Sequence, residues 1–319
     1  MTMLVTVFGG SGFVGRYVVR ALARAGHRIR VGVRYPNRAN FLVPIAHVGQ
    51  IQIVRTNIAD ADQVAQALRG AQAAVNLVGI LYESGRQRFQ RLHAEAAGNI
   101  AAVAKREGLQ SLVQISAIGA STQSESLYAR SKAEGDGRVR DAFPAATILR
   151  PSIVFGPEDD FFNRFAGLAR ISPVLPLIGG GRTRFQPVYV CDVAEAVLRC
   201  VENTETAGRT YELGGPNVYT FKELMQLVVA ETHRRRLLLP VPFPIAMLKA
   251  SILGLLPKPM LTRDQVRLLR QDNVVSANAR TLADLDIEPD AAEAIIPKYL
   301  WRFRREGQFE YPPPEPASA

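Results

Sequence analysis

The chain has 319 residues, of which 47% are hydrophobic and 21% are charged, a composition that supports a packed core and excludes a fibrous or wholly disordered protein. Its formal charge of +10 suits an anionic partner, but the basic residues are spread along the chain and accompany no nucleic-acid-binding module. Nucleic acid is therefore not predicted as a partner. The two cysteines and four histidines are scattered, so no metal site is predicted.

Short runs rich in Val and Ile alternate with segments whose apolar residues recur about every 3.6 positions. The predicted strands are 4–8, 29–33, 51–54, 73–78, 112–116 and 145–149, and predicted helices between them include 14–25, 64–68 and 92–103. This alternation predicts the α/β class, with a doubly wound parallel Rossmann sheet.

After Arg150 the alternation gives way to loops rich in Pro, Gly and aromatic residues, and two later segments return to the earlier pattern. We therefore expect a smaller, discontinuous C-terminal domain. The predicted units are a nucleotide-binding core of 1–154 with 186–216, a second domain of 155–185 with 217–310, and an extended proline-rich tail of 311–319.

Neither the N-terminal residues nor the most apolar stretch of the chain has the pattern of a targeting or membrane-spanning segment. The residues after Met1 run directly into an apolar strand, which predicts no targeting segment. The apolar stretch 237–256 is interrupted by Pro240, Pro242 and Pro244, so it is not expected to span a membrane.

A glycine-rich turn joins the first strand to the first helix. The residues predicted to contact a cofactor here are Gly9, Ser11, Gly12, Phe13, Val14 and Gly15, in a G-x-x-G-x-x-G spacing. Glycine permits positive φ and lets a pyrophosphate approach the free N–H groups at the helix N-terminus. Because the turn follows a strand and opens a helix, it predicts a dinucleotide site and not merely a tight turn.

The end of the second strand bears on the choice of dinucleotide. A site for NAD usually offers an acidic side chain to the ribose there, whereas this strand ends in Val33 and Arg34. Arg34, with Arg16 and Arg38, could hold a 2′-phosphate, which favours NADP(H), and NADPH is the predicted cofactor. The alternative is that an arginine-rich chain places arginine here without such a role.

Further contacts are predicted from the topology of the sheet. Ile58, beside Asn57, is placed to cover the adenine, and the residues after the fourth strand are placed along the cofactor. The other predicted contacts, after the fourth, fifth and sixth strands, are Leu77, Val78, Gly79, Ser116, Pro151 and Ile153. The alternative for each apolar residue is an ordinary core position.

Tyr128 and Lys132 form a Y-x-x-x-K pair at the start of the helix after the fifth strand. One helical turn places both side chains on one face, where the ammonium group is expected to lower the pKa of the phenol toward neutrality. Such a tyrosine could act as an acid or base beside a nicotinamide, and the lysine could reach the nicotinamide ribose.

The glycine turn, the Tyr–Lys pair and the segments 149–152 and 188–193 resemble those of extended short-chain dehydrogenase/reductases. Segments 76–80, 151–160, 185–190 and 261–275 are similar to the nucleotide-binding accessory subunits of respiratory complex I, the alpha-subcomplex subunit nine family. The last segment, LTRDQVRLLRQDNVV, lies outside the shared Rossmann machinery and is the most discriminating.

This resemblance implies a tightly bound, structural NADPH in a subunit without established turnover. It also implies contacts with other complex I subunits of the peripheral arm near the membrane, with peripheral membrane contact. The implied location is the cytoplasmic face of a bacterial inner membrane or the mitochondrial matrix side. The stretch 237–256, the helix around Arg263, Arg267 and Arg270 and the tail after Tyr311 are candidate docking surfaces, or else ordinary core and solvated helix.

One departure from active reductases weakens a catalytic role. Extended dehydrogenases carry a catalytic Ser or Thr shortly after the fifth strand, where this chain reads Ser116, Ala117 and Ile118. Ser116 itself, or Ser121, could substitute for that hydroxyl. The alternative function is therefore a soluble NADPH-dependent reductase or nucleotide-sugar epimerase that uses Tyr128 and Lys132.

Overall fold

Most strands of the chain belong to one parallel sheet. The computed structural model describes residues 2–85, 87–254, 259 and 261–309. Within these residues the strands are β1 (Leu4–Phe8), β2 (Arg28–Val33), β3 (Ile51–Arg55), β4 (Ala73–Asn76), β5 (Ser111–Ile115), β6 (Thr147–Pro151), β7 (Val154–Phe155), β8 (Val174–Ile178), β9 (Arg184–Phe185), β10 (Val188–Tyr189), β11 (Thr210–Leu213), β12 (Tyr219–Thr220) and β13 (Leu237–Val241).

Helices connect these strands on both faces of the sheet. In the described part of the chain they are α1 (Phe13–Arg24), α2 (Ala61–Leu68), α3 (Ala96–Arg106), α4 (Leu127–Ala142), α5 (Phe161–Ile171), α6 (Val190–Glu202), α7 (Phe221–Glu231), α8 (Phe243–Leu253), α9 (Arg263–Leu268), α10 (Ala292–Ile295) and α11 (Pro297–Leu300). A 3₁₀ helix at Pro36–Ile45 follows β2, and a π-helical turn at Gln90–Glu95 leads into α3.

The main sheet has the strand order β11-β6-β5-β4-β1-β2-β3, and all its pairings are parallel. The chain runs outward in one direction through β2 and β3 and in the other through β4, so the order reverses between β1 and β4. In such sheets ligands bind beyond the carboxyl ends of the strands at this reversal. The predicted doubly wound Rossmann sheet is confirmed.

Two hydrophobic layers bury the sheet. One layer packs α1 and α6 against it, with Val18 and Val197 among the fully buried residues. The other packs α2, α3 and α4 through residues such as Leu68, Ile100 and Val139. Because both faces are covered, β1 is buried at every position from Val5 to Phe8, as is typical of a parallel strand, and its one polar residue, Thr6, donates its hydroxyl to Ala67 O.

A third apolar cluster lies beside the sheet and is rich in aromatic residues. Phe155, Phe162 and Phe221 are buried in it, together with residues of α10 and α11. Three small two-stranded pairings, β7 with β10, β8 with β13 and β9 with β12, accompany it. Residues 282–287 instead pack into the core of the main sheet. The domain boundaries stay a prediction, and the predicted tail 311–319 lies outside the described residues.

Local hydrogen bonds explain where strand ends differ from the prediction. β4 ends at Asn76 and not at residue 78, because the Asn76 side chain accepts a hydrogen bond from Val78 N–H and turns the backbone. β6 begins at Thr147, two residues later than predicted, because Ala146 N–H closes a turn onto Phe143 O. The first shift lies at the carboxyl edge of the sheet, where the ligand groove lies, and the second lies at the opposite, amino edge.

Candidate functional site

The glycine turn forms a tight cradle between β1 and α1. Gly9 has a φ of +81°, and its carbonyl accepts the Gly12 N–H at 3.0 Å. A Cβ on Gly15 would lie 2.3 Å from Gly9 O, so only glycine allows the helix to approach the turn this closely. Helix α1 begins at Gly12 without a side-chain cap, which leaves first-turn amides available to an anion.

The other predicted residues of this turn lie around the cradle. Ser11 and Val14 are partly exposed, and Phe13 packs edge-to-face on Tyr17 with ring centroids 6.1 Å apart. A Cβ on Gly9 would lie 3.2 Å from Val78 N, so the loop after β4 contacts the turn directly. The structure therefore brings Leu77 and Val78 to the glycine turn, as the topology predicts.

Three arginines surround the carboxyl end of β2. The guanidinium of Arg16 lies 4.9 Å from the Phe41 ring, and its Nη1 forms an ion pair with Glu158 at 3.3 Å. Its Nε is buried and has no hydrogen-bond partner among the described residues. Arg34 and Arg38 both lie over the Tyr35 ring, at 5.9 and 5.1 Å.

This cluster can receive a phosphate. Arg34 and Arg38 are exposed, and Arg34 makes one long hydrogen bond, from Nη2 to Gln87 Oε1 at 3.3 Å. The aromatic rings hold the guanidinium planes without using all their N–H groups. A buried donor without a partner, as in Arg16, is the observation expected where a ligand supplies the acceptor.

The loop after β3 places Ile58 against the core. Its side chain is buried, and its carbonyl accepts a hydrogen bond from Asn99 Nδ2 at 3.0 Å. Asn57 is exposed, and its side chain accepts from Ala59 N–H, which shapes the turn into α2. Ile58 packs in the same apolar cluster as Val78, on the α2–α3 side of the sheet.

The Tyr–Lys pair lies on α4, as the spacing predicts. Lys132 is buried, and its ammonium donates to Ile115 O at 3.1 Å. A Cβ on Gly79 would lie 3.4 Å from Lys132 Nζ, which joins the pair to the loop after β4. The ring of Tyr128 packs edge-to-face on Phe89 at 5.7 Å.

The expected activation of the tyrosine is wrong for this structure. Burial, with the charge of Asp136 adding to it, raises the pKa of Tyr128 to about 12 instead of lowering it toward neutrality. Burial also lowers the pKa of Lys132 to about 8, against the opposing effect of Asp136. Removal from water thus outweighs the attraction between phenolate and ammonium that the spacing alone predicts.

The Ser116 side chain belongs to a buried polar cluster with Asp136 and Arg150. Its hydroxyl donates to Asp136 Oδ2 at 3.0 Å, and Arg150 donates to the same oxygen from Nη2 at 2.8 Å. The hydroxyl therefore faces Asp136 and does not replace the missing catalytic Ser or Thr. The sequence reasoning missed Asp136, although its position one turn after Lys132 places it on the same helix face.

His93 is a second residue that the sequence reasoning missed. It is buried in the π-helical turn, where Nε2 accepts the Ile80 N–H at 3.0 Å and Nδ1 lies 2.9 Å from Ser131 Oγ. Burial, followed by the charge of Lys132, lowers the pKa of His93 to about 2, so the ring is neutral. It ties the loop after β4 to α4, and only the fold reveals this.

Pro151 and Ile153 occupy the loop after β6. Pro151 is buried and its carbonyl accepts the Ile118 N–H at 3.0 Å, while Ile153 packs beside the aromatic cluster. Between them, Ser152 Oγ donates to Asn273 Oδ1 at 2.7 Å. Asn273 belongs to the segment 261–275, so that segment reaches the edge of the groove.

The described residues include neither a metal-binding cluster nor a membrane-spanning helix. They contain no group of three or more His, Cys, Asp or Glu side chains arranged to hold a metal ion. No helix among them has the length and apolar character needed to cross a bilayer.

The Rossmann sheet, the glycine turn and the Tyr–Lys helix define a nucleotide-binding fold of the short-chain dehydrogenase/reductase type. A model of the NAD dependent epimerase/dehydratase family matches residues 5–214. The fold is similar to that of the NADPH-dependent quinone oxidoreductase QOR2 from Escherichia coli, with a TM-score of 0.74, 19% identity and coverage of 93% of this chain and 99% of that chain.

Two relatives align over nearly the whole chain. Both are named NADH dehydrogenase (ubiquinone) 1 alpha subcomplex subunit 9, mitochondrial. The protein of Arabidopsis thaliana is 34% identical, with 96% of this chain and 79% of that protein covered. The protein of Mus musculus is 32% identical, with 95% and 81% covered. This chain therefore belongs to the NAD dependent epimerase/dehydratase family and, within it, to the alpha subcomplex subunit 9 proteins.

The residues of the groove fit the cofactor class of this family. The cradle has no room for a Cβ at Gly15, its helix start is uncapped, and the buried Arg16 Nε lacks a partner within the described chain. These features suit the pyrophosphate and an adenosine phosphate. The family and the geometry together support a nicotinamide dinucleotide as the ligand.

Proposed function

We propose that this protein is an accessory subunit of respiratory complex I that holds NADPH as a structural ligand and performs no turnover itself. The single observation that carries this proposal is the alignment of the subunit 9 relatives over 95% or more of the chain. The relatives are named as mitochondrial proteins, and we propose the mitochondrial matrix side, or the cytoplasmic face of the inner membrane in a bacterium, as the location.

NADPH is proposed over NADH because of the charges at the carboxyl end of β2. An acidic side chain there would bind the ribose hydroxyls of NAD and repel a 2′-phosphate. This chain presents Arg34 instead, with Arg38 on the next helix and Arg16 beside it. Gly9 to Gly15 would hold the pyrophosphate, Ile58 would cover the adenine, and Lys132 would hold the nicotinamide ribose.

A structural role is proposed because the groups needed for chemistry are already bound inside the chain. Ser116 donates to Asp136, and Tyr128 keeps a high pKa through burial. NADPH in a reductase supplies a hydride, whereas here its proposed contribution is stability. A ligand present at a thousandfold excess over its Kd stabilises the folded state by about 4 kcal/mol.

An exposed apolar surface formed by α8 and β13 is the proposed contact with other subunits of the complex. On α8, Ile245, Leu248 and Ile252 are 49%, 66% and 65% exposed. On the neighbouring strand β13, Leu237 and Leu239 are 73% and 56% exposed. Apolar patches of this kind mark interfaces with protein or with the membrane surface. We propose that subunits of the peripheral arm, close to the membrane, contact the patch on α8 and β13.

Titration of the purified, cofactor-stripped protein tests the ligand. We expect NADPH to bind at least tenfold more tightly than NADH, as measured by the change in NAD(P)H fluorescence. Equal affinity, or tighter binding of NADH, would remove the assignment of NADPH while leaving the dinucleotide site in place.

Gentle detergent extraction followed by size fractionation tests the assembly. We expect the chain to migrate with a large membrane complex that oxidises NADH. Migration as a free soluble dimer that oxidises NADPH only when a carbonyl substrate is added would instead favour the reductase or epimerase alternative.

A further inference from the structure

Helix α9 is joined to the start of α4 by one carboxylate. Asp264 accepts hydrogen bonds from Ser126 Oγ at 2.7 Å, from Leu127 N–H at 2.8 Å and from Tyr128 N–H at 3.1 Å. The first amides of a helix have no partner within the helix, and a negative charge near them is favourable. Asp264 therefore caps the helix that carries Tyr128 and Lys132, although it lies 136 residues away from Tyr128.

The other end of the same segment is attached to the loops after β5 and β6. Asn273 Oδ1 accepts the hydroxyl of Ser152 at 2.7 Å, and Asn273 Nδ2 donates to Ile118 O at 3.3 Å. Between the two ends, Arg270 forms an ion pair with Glu125 at 3.5 Å. Residues 262–273 thus run from the start of α4 to the carboxyl ends of β5 and β6.

We infer that residues 262–273, the cover segment, close the substrate side of the groove, and that Asp264 is the residue that positions this segment against Tyr128. A carbonyl substrate must reach the Tyr128 hydroxyl to exchange a proton with it. The crevice beyond the carboxyl ends of the strands is the route to that hydroxyl, and residues 262–273 border it through the contacts of Asp264 with the Tyr128 amide and of Asn273 with Ile118 O.

The burial of the participating groups supports this closure. Ser126 and Ser152 are both buried, and the side chain of Asp264 is 14% exposed. The inference goes beyond the proposed function, because it rests on contacts within the chain and does not depend on which dinucleotide is bound.

The test compares two carboxylates of the same segment. Asp264→Ala removes the cap on α4. Asp272→Ala is the matched control, because Asp272 binds Arg184 through backbone and guanidinium N–H groups and does not contact α4. Amide hydrogen exchange by mass spectrometry and nitration of Tyr128 by tetranitromethane are measured on the full chain, with and without NADPH.

In Asp264→Ala we expect at least about tenfold faster exchange at residues 127–129 and 262–268, and at least fivefold faster nitration of Tyr128. In the samples without NADPH, the exposed Tyr35 serves as the internal standard for nitration and should not differ between the variants. Asp264→Asn keeps one acceptor oxygen and should give an intermediate result. That variant also replaces Asp264→Ala as the test if the latter does not fold.

Three outcomes would overturn the inference. The first is an equal nitration rate of Tyr128 in the wild type and both variants. The second is an effect of Asp272→Ala on nitration and exchange as large as that of Asp264→Ala. The third is faster hydrogen exchange in Asp264→Ala that extends to the glycine turn. The last would mean that Asp264 supports the whole fold and does not position the cover segment. Failure to bind NADPH leaves these readouts intact, so it would count against the proposed function alone.

Discussion

At the glycine-turn end of the groove, donors lack acceptors from the described part of the chain. Helix α1 has no side-chain cap, and the buried Arg16 Nε has no partner among the described residues. At the Tyr128 end, several of the corresponding groups are bound within the chain, although Asp136 Oδ1 is buried without a hydrogen-bond partner among the described residues. Lys132 donates to Ile115 O, and Asp264 accepts from the amide of Tyr128. The glycine-turn end therefore keeps groups available to bind the dinucleotide. At the Tyr128 end, the cover segment closes the approach of a substrate to the hydroxyl.

This contrast separates two roles that a reductase combines. A reductase needs a tightly held cofactor and an open approach to its acid or base. Here the first requirement is met by the cradle and the arginines. The second is met poorly, because the Ser116 hydroxyl faces Asp136 and burial keeps the pKa of Tyr128 at about 12. Variants at the two ends should therefore affect different measurements.

The largest effect is expected at the cradle. In Gly15→Ala the added Cβ would meet Gly9 O at 2.3 Å, and the other near atoms are backbone atoms of Gly10, so no side-chain movement can relieve the clash. We expect a loss of about 3 kcal/mol in unfolding free energy and loss of measurable dinucleotide binding, from urea unfolding and fluorescence titration. Gly137→Ala on α4 is the control, since nothing lies within 4 Å of its added Cβ. It should stabilise slightly, and equal behaviour of both variants would contradict the cradle.

The next largest effect is expected at the phosphate end. Arg34→Ala should weaken NADPH about 10- to 100-fold, the value of a charge-assisted hydrogen bond, and leave NADH almost unchanged. Arg199→Ala is a suitable control, because Arg199 pairs with Glu195 on the surface of α6. A parallel loss of NADH and NADPH affinity would assign Arg34 to the fold or the pyrophosphate, and not to a 2′-phosphate.

The sequence predicts the binding end of the molecule better than the closed end. The cradle depends on seven consecutive residues, so spacing alone reveals it, and the structure confirms the predicted bounds of β1 and the helical position of the Tyr–Lys pair. The domain boundaries and the individual cofactor contacts stay predictions. The local residue pattern is enough to predict a site when the site is formed by residues that are neighbours in the sequence.

The closed end could not be derived from the sequence because its contacts join distant residues. Asp264 reads as an ordinary acid in the first turn of α9, yet it caps a helix 136 residues earlier. The segment 261–275 was recognised as discriminating only through its resemblance, and the place it occupies appears only in the fold. The wrong expectation for the pKa of Tyr128 has the same cause, since one turn of helix reveals the lysine but not the burial.

A smaller effect is expected in the pH dependence of NADPH affinity. Burial lowers the pKa of Lys132 to about 8 in the free protein, and donation to the nicotinamide ribose would raise it in the complex. Below pH 8 the lysine is already protonated, so affinity should be nearly constant. Above pH 8 binding must take up a proton, so the Kd should rise by up to tenfold per pH unit until the pKa of the complex is reached.

Calorimetric titration from pH 7 to 10, in two buffers of different ionisation enthalpy, measures this proton uptake. Lys132→Met should bind more weakly at pH 7 but lose the dependence above pH 8. A wild-type affinity that stays constant to pH 10 would show that Lys132 does not contact the dinucleotide as an ammonium.

The smallest effect is expected for Tyr128→Phe, and it probes the closed end most directly. Phenylalanine keeps the edge-to-face contacts of the ring with Phe89 and His93, at 5.7 and 5.3 Å, and removes only the hydroxyl. If the hydroxyl serves no reaction, the Kd for NADPH should change less than about threefold, and migration with the membrane complex should be unaffected. Tyr128→Ala, which also removes the ring contacts, should be clearly less stable. Loss of a carbonyl-dependent oxidation of NADPH in Tyr128→Phe alone would mean that the Tyr128 end is open to substrate, and the contrast between the two ends would fail.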